Sequence, residues 1–305
     1  MPEGDSLVRL AHRLRSVMQD EELVDSDFRI GSLATVDLAG WNITDLVPTA
    51  KYLSMFLQAP QDCLVAHRTL VIFSHLGIDG SWQINGRITH QTRCILTLSK
   101  QIVVGSSLST LEVLTPQQVQ QRLTSLGPDL LDPDWLNPQR ADQLLSTAQT
   151  NFRQRADQPI GSALLDQRLV SGIGNIYRCE VLSLTRMNPY RRVGTLTDAQ
   201  LVGLIVLARD LMSANVPPRS TTHTARSTVD IRPDPQAAFG LRVANPQEKA
   251  RAQADSQPTQ PRRPRFWVYN RQTCLRCGTV IRRDPLGAVP GQARYVYWCP
   301  YCQAE

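Results

Sequence analysis

The sequence predicts an α+β multidomain chain. Three observations carry that reading: helical apolar spacing at the start, short β-rich runs over residues 28–113, and a return to helical spacing from about Pro116. With 305 residues the chain can bury a sizeable core, and its length suggests about two domains. Over residues 7–18 the apolar positions Leu7, Val8, Leu10, Ala11, Leu14, Val17 and Met18 follow helical spacing with one buried face. Asp5 or Ser6 can serve as its N-cap. Runs at 33–38, 70–73, 81–84 and 94–98 are separated by Gly, Pro, Asn and Asp, which predicts an antiparallel β-sandwich or barrel. Helices are expected over 117–125, 139–148, 161–169, 175–184 and 198–213, with Thr197 and Gln200 placed as a capping box for the last. Residues 216–264 hold eight prolines with many Gln, Ser and Arg, the composition of a disordered or flexible linker. Residues 265–305 form a compact ending rich in cysteine and aromatic residues.

Hydrophobic (42%) and charged (20%) contents are ordinary for a soluble chain. No apolar run is long enough to span a bilayer, and the N-terminus lacks the apolar stretch of a signal peptide, so a cytoplasmic setting is expected. The net charge of +6 is unevenly spread. Residues 216–305 carry 14 Lys+Arg against 6 Asp+Glu, a net +8, and the remainder is −2. A basic C-terminal third fits a polyanion partner, or a merely solvated basic tail. Arginine supplies nearly all of this charge, which suits bidentate phosphate contacts; lysine occurs only at 51, 100 and 249.

Of seven cysteines, Cys63, Cys94 and Cys179 are scattered and read as small buried hydrophobes. The other four form two CxxC knuckles, Cys274/Cys277 and Cys299/Cys302, separated by 21 residues. Two such pairs can close a tetrahedral site around one structural Zn²⁺, leaving no open position for catalysis. Segments 279–282 and 293–298 between them read as a β-hairpin. Chelation is therefore expected to unfold 265–305 and leave residues 1–213 folded.

Pro2-Glu3-Gly4 acquires chemical meaning from its position. Removal of Met1 would expose the secondary amine of Pro2, and an α-amino group titrates near about 7.7–8.0, so part of it is neutral and nucleophilic near neutral pH. Such an amine can condense with a sugar aldehyde carbon to an iminium, with Glu3 placed for proton transfer. An ordinary chain start before a helix has the same sequence appearance.

Several features then occur in order: MPEG at the start, Lys51 before an apolar strand, SHLGIDGSW at 74–82, LGPDLL at 126–131, LLDQRLVSGIGNIYRCEVL at 164–182, and CxxCG…WCPYCQ at the end. Together they resemble the formamidopyrimidine-DNA glycosylase and endonuclease VIII family of base excision repair enzymes, over residues 1–213 and 265–305. The resemblance implies a catalytic β-sandwich domain at 1–113, a helix-two-turn-helix DNA-binding domain at 114–215, a linker or insertion at 216–264 and a zinc finger at 265–305. It implies a zinc-bearing, monomeric, cytoplasmic and nucleoid-associated enzyme acting on damaged double-stranded DNA, both as glycosylase and as abasic-site lyase. Pro2 would be the Schiff-base nucleophile and Glu3 the acid/base. Lys51, Asn175 with its neighbour Gly174, and Arg294 would contact phosphates around the lesion. His75 would orient the loop that presents Ile78 as the wedge filling the gap left by an everted base.

The start MPEGDS is closer to the endonuclease VIII branch, and no Arg-Phe-Gly wedge is visible in residues 99–113, so oxidised pyrimidines are the expected substrates. Two positions depart from the family pattern. Ser6 stands where many relatives carry Glu, and Ala50 precedes Lys51 where Gly is frequent; both put local support of the active site in question. An abasic-site lyase with little glycosylase activity, or an inactive zinc-finger DNA-binding protein, are the competing expectations.

Overall fold

The computed structural model describes residues 2–61, 66–216, 266–287 and 294–304, together with the backbone of 230–233 and 241–244. Two compact units divide at Ser125/Leu126. The first opens with α1 (Gly4–Met18) and continues through β1 (Asp25–Phe28), β2 (Asn42–Thr49), β3 (Tyr52–Gln58), β4 (Thr69–His75), β5 (Ser81–Ile84), β6 (Thr92–Thr97), β7 (Ile102–Ser106), β8 (Thr110–Leu114) and α2 (Pro116–Leu123). The strands form two antiparallel four-stranded sheets, ordered β1-β6-β7-β5 and β2-β3-β4-β8. One apolar core joins Leu7, Leu10 and Leu14 of α1 to Leu53 and Met55 of one sheet and Leu96 and Val103 of the other. Removing these side chains from water is the main force holding the sandwich. Helix α2 covers the outer face of the second sheet through Val119, packed with Val71 and Phe73, and so belongs with the first unit.

The second unit contains α3 (Pro138–Arg153), α4 (Ile160–Ala163), α5 (Asn175–Leu184), α6 (Asp198–Ala214), β9 (Asp230–Pro233), β10 (Leu241–Ala244), β11 (Arg282–Leu286) and β12 (Arg294–Trp298). Its core runs without a break from Phe152, Leu182, Leu204 and Leu211 into Trp267, Ile281, Leu286, Val296 and Trp298. The cysteine-rich ending is thus packed into the helical core. Among the described residues no helix is long and apolar enough to cross a membrane.

Several elements differ from the sequence expectation. Residues 33–38 are not a strand. A short 3₁₀ turn at Gly31–Leu33 leads into a loop in which Val36 donates to the Leu33 carbonyl and the Leu38 N–H goes to Ser26 Oγ. Leu33 and Leu38 are apolar because they plug the core, and the backbone finds turn partners rather than a ladder. The helix expected over 161–169 stops at Ala163, where Asp166 takes over, accepting the Arg168 N–H at 3.1 Å and its guanidinium at 2.7–2.8 Å. The hairpin's first strand begins at Arg282 rather than 279, because the Thr279 carbonyl is used by the Cys274 N–H to close the cysteine knuckle. The N-cap of α1 is Glu3, not Asp5 or Ser6. The Thr197–Gln200 capping box is present on α6.

Most of the expected linker, and Cys63, lie outside the described residues. At 230–233 and 241–244 the backbone is not structureless: β9 and β10 pair antiparallel, Leu241 opposite Pro233. Cys94 and Cys179 are fully buried; burial pushes the Cys94 thiol up and the Cys179 thiol to about 12, as expected of inert packing residues.

Candidate functional site

Glu3 is 2% exposed although it is a carboxylate at the chain start. Its position is set by Ser6. The Glu3 N–H donates to Ser6 Oγ at 2.8 Å, and the Ser6 hydroxyl donates back to the Glu3 carbonyl at 2.7 Å. The residue that departs from the family pattern therefore fixes the backbone one peptide bond from Pro2. Behind it Asp5, itself buried, pairs with Arg9 at 2.6 Å on the first turn of α1.

Lys51 and Ala50 are the two residues of a tight turn between β2 and β3, closed by the Thr49–Tyr52 pair. Ala50 adopts φ +53°, the left-handed conformation that glycine takes without cost. The turn that a glycine would give is kept by an alanine at the price of about 1–2 kcal/mol of local strain. Tyr52 pairs in register with His75, their rings 4.9 Å apart, and His75 pairs onward with Thr110. The Lys51 turn and His75 thus share one end of the second sheet.

From that end the chain turns at 77–79. Gly77 has φ +67°, and a Cβ there would meet Ser109 Cβ at 2.8 Å; a Cβ on Gly80 would meet the Leu76 carbonyl at 2.1 Å. Only glycines fit both positions. The Gly77 backbone nitrogen lies 3.0 Å from His75 Nδ1, which ties the turn to the ring. Ser109 braces the same ring at 2.8 Å and donates to the His75 carbonyl at 3.0 Å. On this braced turn Ile78 is 65% exposed, an isolated apolar side chain held out from the surface.

In the second unit, Gly174 is the N-cap of α5 and Asn175 its first residue. The two turns before it are stitched by Gln167, which donates to the Leu165 and Ile173 carbonyls at 3.0 Å and accepts the Gly172 N–H at 3.1 Å. Gly172 needs its φ of +99° there. Asn175 Nδ2 donates to the Tyr295 carbonyl at 3.0 Å, which ties the helix start to β12. Arg294 begins β12 and is exposed.

Sequence reasoning missed the residue that brings Asn175 and Arg294 together. Arg178, one turn into α5, is fully buried. Its guanidinium donates to Asn175 Oδ1 and to the carbonyls of Gly161 at 3.3 Å, Leu286 at 3.1 Å and Arg294 at 3.2 Å. The available signal was an arginine within the mainly apolar run of α5, two residues before Glu180. Glu180 was missed as well. Its buried carboxylate accepts the backbone N–H groups of Trp267, Val268 and Tyr269 at 2.8–3.1 Å. Burial pushes its pKa up, and the three N–H bonds pull against that shift.

The sulfurs of Cys274, Cys277, Cys299 and Cys302 all lie within 4.8 Å of one another, with Cys277–Cys299 at 3.5 Å and Cys274–Cys302 at 4.0 Å. Four thiolates about 2.3 Å from a tetrahedral ion would stand roughly 3.8 Å apart, so the donor set fits one metal ion. Gln303, fully buried, locks the second knuckle: it accepts the Cys299 N–H at 2.9 Å and donates to the Met187 carbonyl at 2.8 Å.

Comparison with known proteins agrees with this geometry. The model of the formamidopyrimidine-DNA glycosylase H2TH domain matches residues 131–227. The chain is similar to the probable endonuclease 8 2 of Streptomyces coelicolor, with 35% identity over 317 residues covering 100% of this chain and 94% of that protein. It is 32% identical to the DNA-(apurinic or apyrimidinic site) lyase Nei2 of Mycolicibacterium smegmatis, with 99% of each covered. Its fold resembles that of Lactococcus lactis formamidopyrimidine-DNA glycosylase, crystallised non-covalently bound to DNA containing an AP site, with a TM-score of 0.69 at 16% identity and coverage of 99% and 100%. The chain belongs to the formamidopyrimidine-DNA glycosylase and endonuclease VIII family, in its endonuclease VIII-like branch.

Proposed function

We propose that this chain is a bifunctional DNA glycosylase and abasic-site lyase of base excision repair that prefers oxidised pyrimidines. The observation that carries the reading is the first turn of α1, where Glu3 is buried beside Pro2 and its backbone is held by the Ser6 hydroxyl. With Met1 removed, the Pro2 nitrogen attacks C1′ of the damaged nucleotide, the glycosidic bond breaks, and the base leaves protonated. Loss of the amine proton leaves an aminal; the C1′–O4′ bond then breaks, O4′ takes up a proton, and the open-chain iminium forms. Loss of a C2′ proton then expels the 3′ phosphate, and a second elimination expels the 5′ phosphate. Water releases Pro2. Glu3 moves protons at the sugar.

Lys51, Asn175 and Arg294 hold the phosphates around the lesion, where charge-assisted contacts position DNA without reading its sequence. Ile78, on the turn braced by His75 and Ser109, fills the place of the everted base. The four cysteines hold one structural zinc ion. A short link at 107–109 joins β7 to β8 and carries no Arg-Phe-Gly segment, which supports the pyrimidine preference. The sequence-based domain limits, the tether at 216–264, the monomeric state, the double-stranded substrate and the cytoplasmic setting belong to the same proposal.

The name of the Mycolicibacterium smegmatis relative favours a second reading, an abasic-site lyase with little base excision. Borohydride trapping on an abasic duplex tests the shared chemistry: a covalent adduct mapping to Pro2 is expected, and none when Met1 is retained. An adduct on another residue overturns the mechanism. Nicking of thymine glycol and dihydrouracil duplexes then decides for the glycosylase, and nicking of the abasic duplex alone decides for the lyase.

A further inference from the structure

The two faces of the β11–β12 hairpin differ. Leu286 opposite Arg294, Asp284 opposite Val296 and Arg282 opposite Trp298 share one face, whose Leu286, Val296 and Trp298 enter the core. Pro285 opposite Tyr295 and Arg283 opposite Tyr297 share the other. On that outward face the Arg283 guanidinium lies 3.9 Å from the centre of the Tyr295 ring and 5.9 Å from that of Tyr297. Tyr295 remains 48% exposed. The acid of these strands, Asp284, is occupied by the Tyr190 hydroxyl at 3.0 Å and Trp298 Nε1 at 2.7 Å. What the hairpin offers to solvent is therefore cationic and aromatic together.

We infer that the outward face of the hairpin, the exposed Tyr295 ring with Arg283 against it, is a stacking platform for an unpaired stretch of DNA; Tyr297, packed against Tyr269 and the core, backs it. A tyrosine ring held against a guanidinium presents a π surface to a base and a donor fork to the adjoining phosphate. Bases within a duplex cover one another and offer no face to a surface ring; bases of a single strand do. The basic charge of this part of the chain supplies the attraction. The inference rests on the DNA-binding reading of the hairpin. It adds a site on the face opposite Arg294, so a strand crossing the hairpin edge can engage both.

The test uses the full-length, zinc-loaded protein and one oligonucleotide carrying a tetrahydrofuran abasic analogue, single-stranded or annealed to its complement. Affinity is read by fluorescence anisotropy. Tyr295→Ala should weaken single-strand binding roughly 5- to 150-fold, the loss of one stacked base, while Tyr295→Phe keeps it and duplex affinity stays within about twofold. Arg283→Gln should weaken single-strand binding likewise. Should the alanine variant lose zinc, Tyr295→Leu, which keeps apolar bulk without a ring, provides the same readout. Single-strand affinity unchanged in both ring-deleted variants, or a fall equal on single strand and duplex, overturns the platform. Arg294→Ala separates the two levels. If it leaves both affinities unchanged, the DNA-binding reading of the hairpin fails; if it weakens both while the Tyr295 variants do nothing, only the platform fails.

Discussion

Ser6 illustrates how one small side chain can replace a larger one by a different physical route. A glutamate at this position would bring charge near the reacting group. Serine brings a hydroxyl that accepts the Glu3 N–H and donates to the Glu3 carbonyl. Without it, the N–H beside a nearly buried carboxylate loses its acceptor, which costs about 1–3 kcal/mol. Ser6→Ala is therefore expected to slow borohydride-trapped adduct formation by about tenfold or more at unchanged DNA affinity, with Ser6→Thr restoring it. An alanine variant that traps at the wild-type rate would show that Glu3 is held by other groups. Ala50 is the second departure, and its φ of +53° answers the question the sequence raised: the alanine accepts the glycine conformation, so the Lys51 turn is retained.

At the scale of elements, what could be read from sequence was what local chemistry decides. The limits of α5 and β5 match the expected 175–184 and 81–84, because Gly172 and Gly174 precede the first and Gly80 and Gly86 bound the second. The cysteine pairs meet because their spacing leaves the chain few other ways to satisfy thiolates. The failures fall where a distant partner decides. Residues 33–38 have strand-like composition, but no ladder receives them, and Asp166 ends α4 through side-chain bonds that spacing does not reveal. The roles of Arg178 and Glu180 depend in the same way on distant groups: beside Asn175 and Gly161, Arg178 reaches Leu286 and Arg294, and Glu180 reaches Trp267, each more than 80 residues away. Glu180 makes the point testable. Glu180→Gln keeps the shape but replaces one acceptor oxygen by an NH₂ group, so at least one of the three N–H groups at 267–269 loses its partner, at about 1–3 kcal/mol. Amide exchange at Trp267–Tyr269 should accelerate while exchange in β3 and β4 stays unchanged. Equal protection in both proteins would mean that packing of Trp267 and Val268 alone holds the segment.

On the scale of the whole molecule, the structure alters what zinc removal should do. Sequence reasoning confines the damage to 265–305, as if the metal held a separate bead. The apolar core contradicts that picture: Trp267, Val268, Ile281, Leu286, Val296 and Trp298 are packed with Leu182, Leu204 and Leu211 of α5 and α6. Arg178 inside α5 is further satisfied by carbonyls of the hairpin, and its charge would be left poorly paired if the hairpin detached. Metal binding free energy is folding free energy for small cysteine modules, so chelation withdraws support from the entire second unit. The sandwich of residues 2–125 has its own core and should not respond. Calorimetry with a strong chelator is expected to lower the transition of residues 126–305 and to leave the other transition in place. Hydrogen exchange should show protection lost in α5 and α6 as well as in the hairpin, with duplex affinity lost in parallel. Protection of α5 and α6 that survives verified zinc loss would restore the picture of an independent finger, and would place the stability of the helical domain in its own helices rather than in the core it shares with the hairpin.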